Sequence, residues 1–308
     1  MIIIRKIEIK GLKHTKNFVV KRELNFSVGD TLWFSEIQDQ FQKNEDNLIR
    51  SGLFFYARLN IKNWRLPDPK ADIVVDLKES WYFIPVPVVK LADRNFNVWI
   101  KDYDASLDRL IFGIRAYHTN LSGRNDYLKL VAQFGYSQHY NILYRFPYLN
   151  KKNTLGVNMS LGYSLSRNSV YNTFQDKQLY LDANSGHNFK TFHVSTGVKY
   201  RRKIDVTHNF SIGYYRNEVT DTILRLNPQY FSHSQTEQAY FSVSYAFLYD
   251  RRNHKKQPTD GFAIHFSAAK VGLGVFNDVD YGFLEFGIHN YLPISKKFTW
   301  RIKPKARL

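Results

Sequence analysis

The residues best equipped to act in this chain are its cations, 44 lysines and arginines against 27 carboxylates, and many of them crowd into short polar connections. Arg124, Lys151, Lys152, Arg201, Arg202, Lys203, Arg251, Arg252, Lys255, Lys256, Lys296 and Lys297 stand there against only Asp126, Asp205 and Asp260, a local excess of about +9. Beside an anionic lipid surface each such residue contributes about 1 kcal/mol of attraction. The plainer role is to keep strand ends soluble. A net charge of +17 also suits nucleic acid, but no recognition helix or nucleic-acid motif accompanies it, so no nucleic-acid partner is expected. Covalent and metal chemistry find no constellation. The ten histidines are scattered without an H-E-x-x-H pair, and there is no G-x-S-x-G elbow and no phosphate-cradling glycine loop. The carboxylates form no obvious acid–base pair. The absence of cysteine removes thiol catalysis, disulfides and zinc-thiolate sites together. A non-enzymatic protein without cofactor or metal is expected.

The elements that carry these residues have two grammars. Leu155, Val157, Met159, Leu161, Tyr163 and Leu165 alternate with Gly156, Asn158, Ser160, Gly162 and Ser164. Period two puts each set on one face of a strand. Phe241, Val243, Tyr245, Phe247 and Tyr249 oppose Ser242, Ser244 and Ala246, and Phe192, Val194 and Val198 oppose His193, Ser195 and Gly197, in the same way. A small, polar second face is wrong for a soluble core and right for the interior of a transmembrane β-barrel. The abundance of aromatics, 24 Phe and 21 Tyr, suits membrane interfaces. About eleven strands follow residue 81, near 82–91, 110–120, 127–137, 139–146, 154–166, 190–200, 207–216, 238–250, 261–269, 281–291 and 297–308. The connections near 92–109, 167–189 and 217–237 are long and alternate with shorter ones, which predicts the shorter set on the periplasmic side.

Residues 1–80 read as a soluble β-α-α-β-β module. A strand over Ile2 to Lys10 ends at Gly11, and Thr15 is positioned to cap a short helix carrying Val20 and Leu24. After the Gly29–Asp30 turn, Ser35 is positioned to cap a longer helix with Ile37, Phe41 and Leu48 inward, and Gly52 stands where a C-cap glycine belongs. Two strands close the module, roughly Tyr56–Lys62 and Ile73–Lys78.

The stretch IRKIEIKGLKHTKNFVVKREL, the Gly29–Asp30 pair, LIRSGLFFYARLNI and IVVDLKE resemble a POTRA domain. Such domains precede the barrels of the BamA/TamA-like outer-membrane assembly family, in which a surface-antigen-type barrel follows. YAFLYDRRNHKKQPTDGFAIHF is similar to that family's turn segment, with Asp250, Arg251, Pro258, Thr259, Asp260 and Gly261 in the matching places. NLSGRND at 120–126 and FPY at 146–148 also resemble family turns. Pro and Gly punctuate turns in any case, so these residues also read as structural punctuation. The resemblance implies an α+β POTRA domain over 1–80 and an antiparallel transmembrane barrel over 81–308. It further implies insertion or assembly of proteins in the outer membrane of a Gram-negative bacterium, with the module receiving unfolded clients in the periplasm. Partners would be outer-membrane lipids, outer-membrane protein clients, and periplasmic or lipoprotein accessory subunits. A two-partner-type secretion translocator and the barrel portion of a patatin-like lipase fusion are the alternatives.

The family barrel has about sixteen strands, and its V-R-G-F or V-R-G-Y lumenal loop would lie beyond Leu308. The chain is therefore read as a fragment without its closing strands; its MIIIRKIEIKG opening is not a signal peptide. Pro85 and Pro87, in the first barrel strand YFIPVPVVKL, delete N–H donors from one edge only, since alternate residues address the same edge. That edge would face the closing seam, a gate for clients; alternatively the prolines mark a linker. In the module, the strand edge at Tyr56, Arg58, Asn60 and Lys62 is a candidate for strand addition by a client.

Overall fold

The computed structural model describes every residue except 94, 151, 153, 184, 185, 202, 204, 254–256, 277 and 296. The chain divides into two packed units, Met1–Ile84 with Ala116–Leu128, and Pro85–Arg115 with Lys129–Leu308.

The first unit contains β1 (Ile2–Lys10), α1 (Asn17–Glu23), β2 (Thr31–Leu32), α2 (Ile37–Arg50), β3 (Phe54–Lys62) and β4 (Lys70–Glu79). Its sheet runs β2-β1-β4-β3, with β4 parallel to β1 and antiparallel to β3. Ala71, Ile73, Val74 and Val75 are almost wholly buried, as a continuous apolar run on a central strand should be. Val19, Val20 and Leu48 of the helices are fully buried with them. The β-α-α-β-β order is present, with the two-residue β2 added after the Gly29–Asp30 turn. That turn is bonded to β1 through Gly29 N–H to Ile4 O (2.8 Å) and Ile4 N–H to Asp30 O (2.9 Å).

Both expected N-caps are absent. Lys16 and Glu36 occupy the cap positions of α1 and α2, and neither side chain accepts a capping bond. Thr15 has a better use for its hydroxyl, described below. Ser35 falls one residue outside the cap of α2. Gly52 does occupy the left-handed position after α2, at φ +77°.

The strands that follow are β5 (Phe83–Leu91), β6 (Leu110–His118), β7 (Tyr127–Gly135), β8 (Ser137–Phe146), β9 (Leu155–Ser166), β10 (Asn168–Phe174), β11 (Lys177–Asp182), β12 (Phe189–Tyr200), β13 (Val206–Val219), β14 (Glu237–Asp250), β15 (Gly261–Val271), β16 (Tyr281–Pro293), β17 (Thr299–Ile302) and β18 (Lys305–Arg307). Helices α3 (Phe96–Tyr103) and α4 (Asp221–Leu226) lie in connections. One sheet runs β5-β6-β7-β8-β9-β12-β13-β14-β15-β16-β17, while β18 also pairs with β16. Lys303 and Pro304 thus interrupt a single last strand, and the path has the eleven positions expected. β10 and β11 form a separate hairpin inside the long 167–188 connection.

The register turns sequence alternation into two continuous faces. Leu161 lies opposite Val194, Val194 opposite Tyr214, and Tyr214 opposite Phe241. Met159, Leu161, Val194, Phe210 and Ile212 are each more than two-fifths exposed. So large an apolar surface on a sheet calls for lipid, not water. The other face is small for a steric reason as well as a polar one. Gly162 pairs with His193 and Gly287 with His265, and a Cβ on either glycine would lie about 2 Å from the facing imidazole.

The connections holding α3, the β10–β11 hairpin and α4 all leave the same ends of their strands. There, the Arg109 guanidinium donates to Asp93 at 2.6–2.9 Å and to Asp182 at 2.8 Å, and lies 3.6 Å from the Tyr103 ring. It ties the 92–109 connection to β11.

Candidate functional site

The sheet path ends at β17 and at β5, and the backbone direction of β5 can be read from its bonds to β6. Thr119 N–H donates to Tyr82 O at 3.0 Å, and Ala92 N–H donates to Arg109 O at 2.9 Å. Both bonds involve even-numbered residues on the β5 side, and the two pairs share one register. In an antiparallel ladder, the odd-numbered residues then point their backbone groups away from β6. Pro85 and Pro87 are odd. Both missing donors therefore belong to the unpaired edge, and the β5–β6 ladder loses nothing. Val89, on the same face as the prolines, is 76% exposed.

The module has an open edge of its own at β3, which among the described residues pairs only with β4. Tyr56, Arg58, Asn60 and Lys62 put their side chains on its exposed face: Lys78 Nζ lies 5.6 Å from the Tyr56 ring, and Asn60 Nδ2 is 3.4 Å from Asp76 Oδ2. Their backbone groups face β4. The outward N–H groups belong to the alternate residues Ala57, Leu59 and Ile61. Leu59 N–H fixes this assignment, because it donates at 2.7 Å to Glu45 Oε1 on α2 and not to β4. Side-chain alternation revealed the exposed set, but it carries no information on which set donates outward.

Of the basic collar, Lys151, Arg202, Lys255, Lys256 and Lys296 lie outside the described residues. Lys203 is exposed. Arg251 reaches Asp205 at 3.3 Å, and Arg252 is bound by Asp250 at 2.7–2.8 Å. Part of the collar is thus neutralised locally, and Asp250 serves as the counter-ion of Arg252. Gly261 is required by its turn: it sits at φ +94°, and a Cβ there would lie 2.3 Å from Arg251 O. The turn's organiser is a residue the motif did not mark, Asn253. Its Oδ1 accepts from Thr259 and Asp260 N–H at 3.0 and 3.2 Å, and its Nδ2 donates to Thr259 Oγ1 at 2.7 Å. Among the described residues no group of histidines and carboxylates could hold a metal ion.

A buried polar cluster lies in the first unit, where the β6–β7 connection meets the β1–α1 loop. Asn120 is fully buried, and its Nδ2 donates to Thr15 Oγ1 at 2.9 Å. Thr15 Oγ1 also shares a hydrogen bond with the Tyr82 hydroxyl at 2.9 Å, and Tyr82 donates to Leu53 O at 3.1 Å. His14 Nε2 lies 2.6 Å from Asn120 O, and Lys16 N–H donates to Gly123 O at 2.8 Å. Gly123 is obligatory, since a Cβ would lie 2.3 Å from His14 O. Glu79 accepts from the His14 and Thr15 amides. Burial alone would raise its pKa, but the hydrogen bonds from this turn outweigh it and hold the carboxyl below its ordinary value.

A small mixed sheet with two helices, followed by antiparallel strands with one apolar and one small polar face, defines a POTRA module ahead of a membrane β-barrel domain, incomplete at eleven strand positions. Residues 120–307 match the Omp85 superfamily domain, and residues 2–80 match the POTRA family described as a surface antigen variable number repeat. The first match alone spans more than half of the chain, which belongs to the Omp85 superfamily. No curated protein sequence matches it. Its fold is similar to that of BamA from Haemophilus ducreyi lacking POTRA domains 1–3, at a TM-score of 0.60 and 19% identity over 99% of this chain. The chain spans 55% of that structure's length. CdiB from Acinetobacter baumannii aligns at a TM-score of 0.49 and 11% identity, over 100% of this chain and 52% of that one.

Proposed function

We propose that this protein works in the outer membrane of a Gram-negative bacterium, where it inserts or assembles β-barrel proteins without enzymatic chemistry. The POTRA module faces the periplasm and receives unfolded clients, with outer-membrane lipids and periplasmic or lipoprotein subunits as further partners. The observation that carries this reading is the free edge of β5. A first strand that pairs with β6 through its even-numbered residues, yet lacks two donors on its other side, makes a weak closing seam. A client strand can add at such a seam. The cationic turns near Arg201 and Lys203, the latter exposed, suit contact with anionic lipid headgroups.

The test is reconstitution of the full-length protein into lipid vesicles with a urea-unfolded outer-membrane barrel as client. Faster appearance of heat-modifiable, protease-protected client is the expected result. Insertion no faster than in empty vesicles overturns the proposal, and export of a soluble partner without insertion would assign secretion instead.

A further inference from the structure

We infer that the Glu45 carboxylate occupies the position of an incoming strand's carbonyl, so that the β3 edge is closed by its own side chain and opens to an extended client segment when Glu45 leaves. This deepens the reading of the module as a client receiver and rests on it.

The geometry is specific. β3 is the last strand of its sheet, and its outward donors are the amides of Ala57, Leu59 and Ile61. The central one is engaged: Leu59 N–H donates at 2.7 Å to Glu45 Oε1. That distance lies within the range of a strand-to-strand N–H···O=C bond, so the carboxylate oxygen stands where the carbonyl oxygen of an added strand would bind. Leu59 itself is 4% exposed, so its amide is poorly placed to find water and needs a protein acceptor. Glu45 is half-buried near the middle of α2, the helix that packs against β3. An unprotected edge invites pairing with any other strand, and Glu45 removes the central donor from that hazard.

The chemistry of the plug selects its displacer. A bond to a carboxylate is roughly twice as strong as one to a neutral carbonyl, so a ligand offering a single carbonyl loses the exchange. An extended segment that also bonds the flanking Ala57 and Ile61 wins it. The apolar surroundings fit a membrane strand in particular. Trp64, two residues past the end of β3 and 39% exposed, packs on Phe34 at 5.1 Å between centroids, and apolar side chains alternate along membrane strands. The occupant is therefore an unfolded barrel strand, bound by its backbone and by alternate apolar side chains.

The experiment uses the full-length protein and a fluorescent peptide copying Glu237–Asp250, this chain's own aromatic strand. Binding is read by anisotropy, and Leu59 amide exchange by NMR or mass spectrometry. Glu45→Ala is expected to bind about tenfold tighter than wild type, the factor set by releasing one charged hydrogen bond. Glu45→Gln, which keeps a neutral acceptor, is expected to gain less. Without peptide, Leu59 exchanges faster in Glu45→Ala, and peptide restores its protection. Equal affinity of wild type and Glu45→Ala overturns the plug and leaves the client reading standing. Binding by neither protein overturns both. Tighter binding without renewed protection of Leu59 places the peptide elsewhere and also overturns the plug.

Discussion

Replacing Thr15 by valine removes one hydroxyl and almost no volume, which isolates the polar contribution of the cluster around Asn120. Two bonds of 2.9 Å disappear, from Asn120 Nδ2 and with the Tyr82 hydroxyl. Tyr82 retains Leu53 O, so its hydroxyl keeps a partner. The Asn120 amide loses its acceptor at a place with 0% exposure. Leaving a buried donor unsatisfied costs about 1–3 kcal/mol. A central value of about 2 kcal/mol raises the population of the locally opened state roughly 30-fold. The reporter is the Lys16 amide, held by Gly123 O at 2.8 Å. Its hydrogen exchange in the full-length protein is expected to accelerate by that factor, while Thr15→Ser, which keeps the hydroxyl, stays near wild type. Unchanged Lys16 exchange in Thr15→Val, or an equal loss in Thr15→Ser, would refute the argument that the hydroxyl organises this contact.

Arg109→Met leaves Asp93, whose side chain is 4% exposed, without its cation; breaking such a pair costs about 3–5 kcal/mol. Limited proteolysis within 92–109 is expected to accelerate, and Asp93→Leu added to Arg109→Met is expected to slow it again. The hydrogen bond from Arg5, helped by Asn63, lowers the Asp72 pKa to about 2. A depressed carboxylate stabilises the fold above its unfolded pKa near ~4, and that contribution is lost as pH falls toward 2. Tryptophan fluorescence of Asp72→Asn should show a flatter acid limb over this window, and superimposable limbs would contradict it. Restoring both donors with Pro85→Val and Pro87→Val strengthens the seam by about 0.5–1.5 kcal/mol per new bond, so client insertion by the complete protein should slow several-fold; undiminished insertion counts against a gate. Arg201→Glu with Lys203→Glu should weaken binding to vesicles containing anionic lipid, most clearly at low salt, and unchanged binding would remove the lipid role of the collar.

Much of this architecture was legible from the residues. Period-two alternation over Leu155–Ser166 and Glu237–Asp250 depends only on the pleat of a strand, so it marked the membrane faces without knowledge of any neighbour. Pro85 and Pro87, two residues apart, had to share an edge for the same reason. Gly52 and Gly261 were readable because a left-handed backbone position excludes most other residues. The caps were not readable: a threonine before a helix can accept from the next turn or bond a distant partner, and local sequence does not weigh the two. Thr15 chose Asn120, 105 residues away.

The sequence alone therefore determined the two domains' character, the number of strand positions and which side chains share a face, because these follow from local period and composition. Only the tertiary structure decided which neighbour completes each polar group. Glu45 on Leu59, Arg109 between Asp93 and Asp182, and Asn253 on the 259–260 amides are each held by contacts whose formation depends on packing across the fold, and no local pattern announces them.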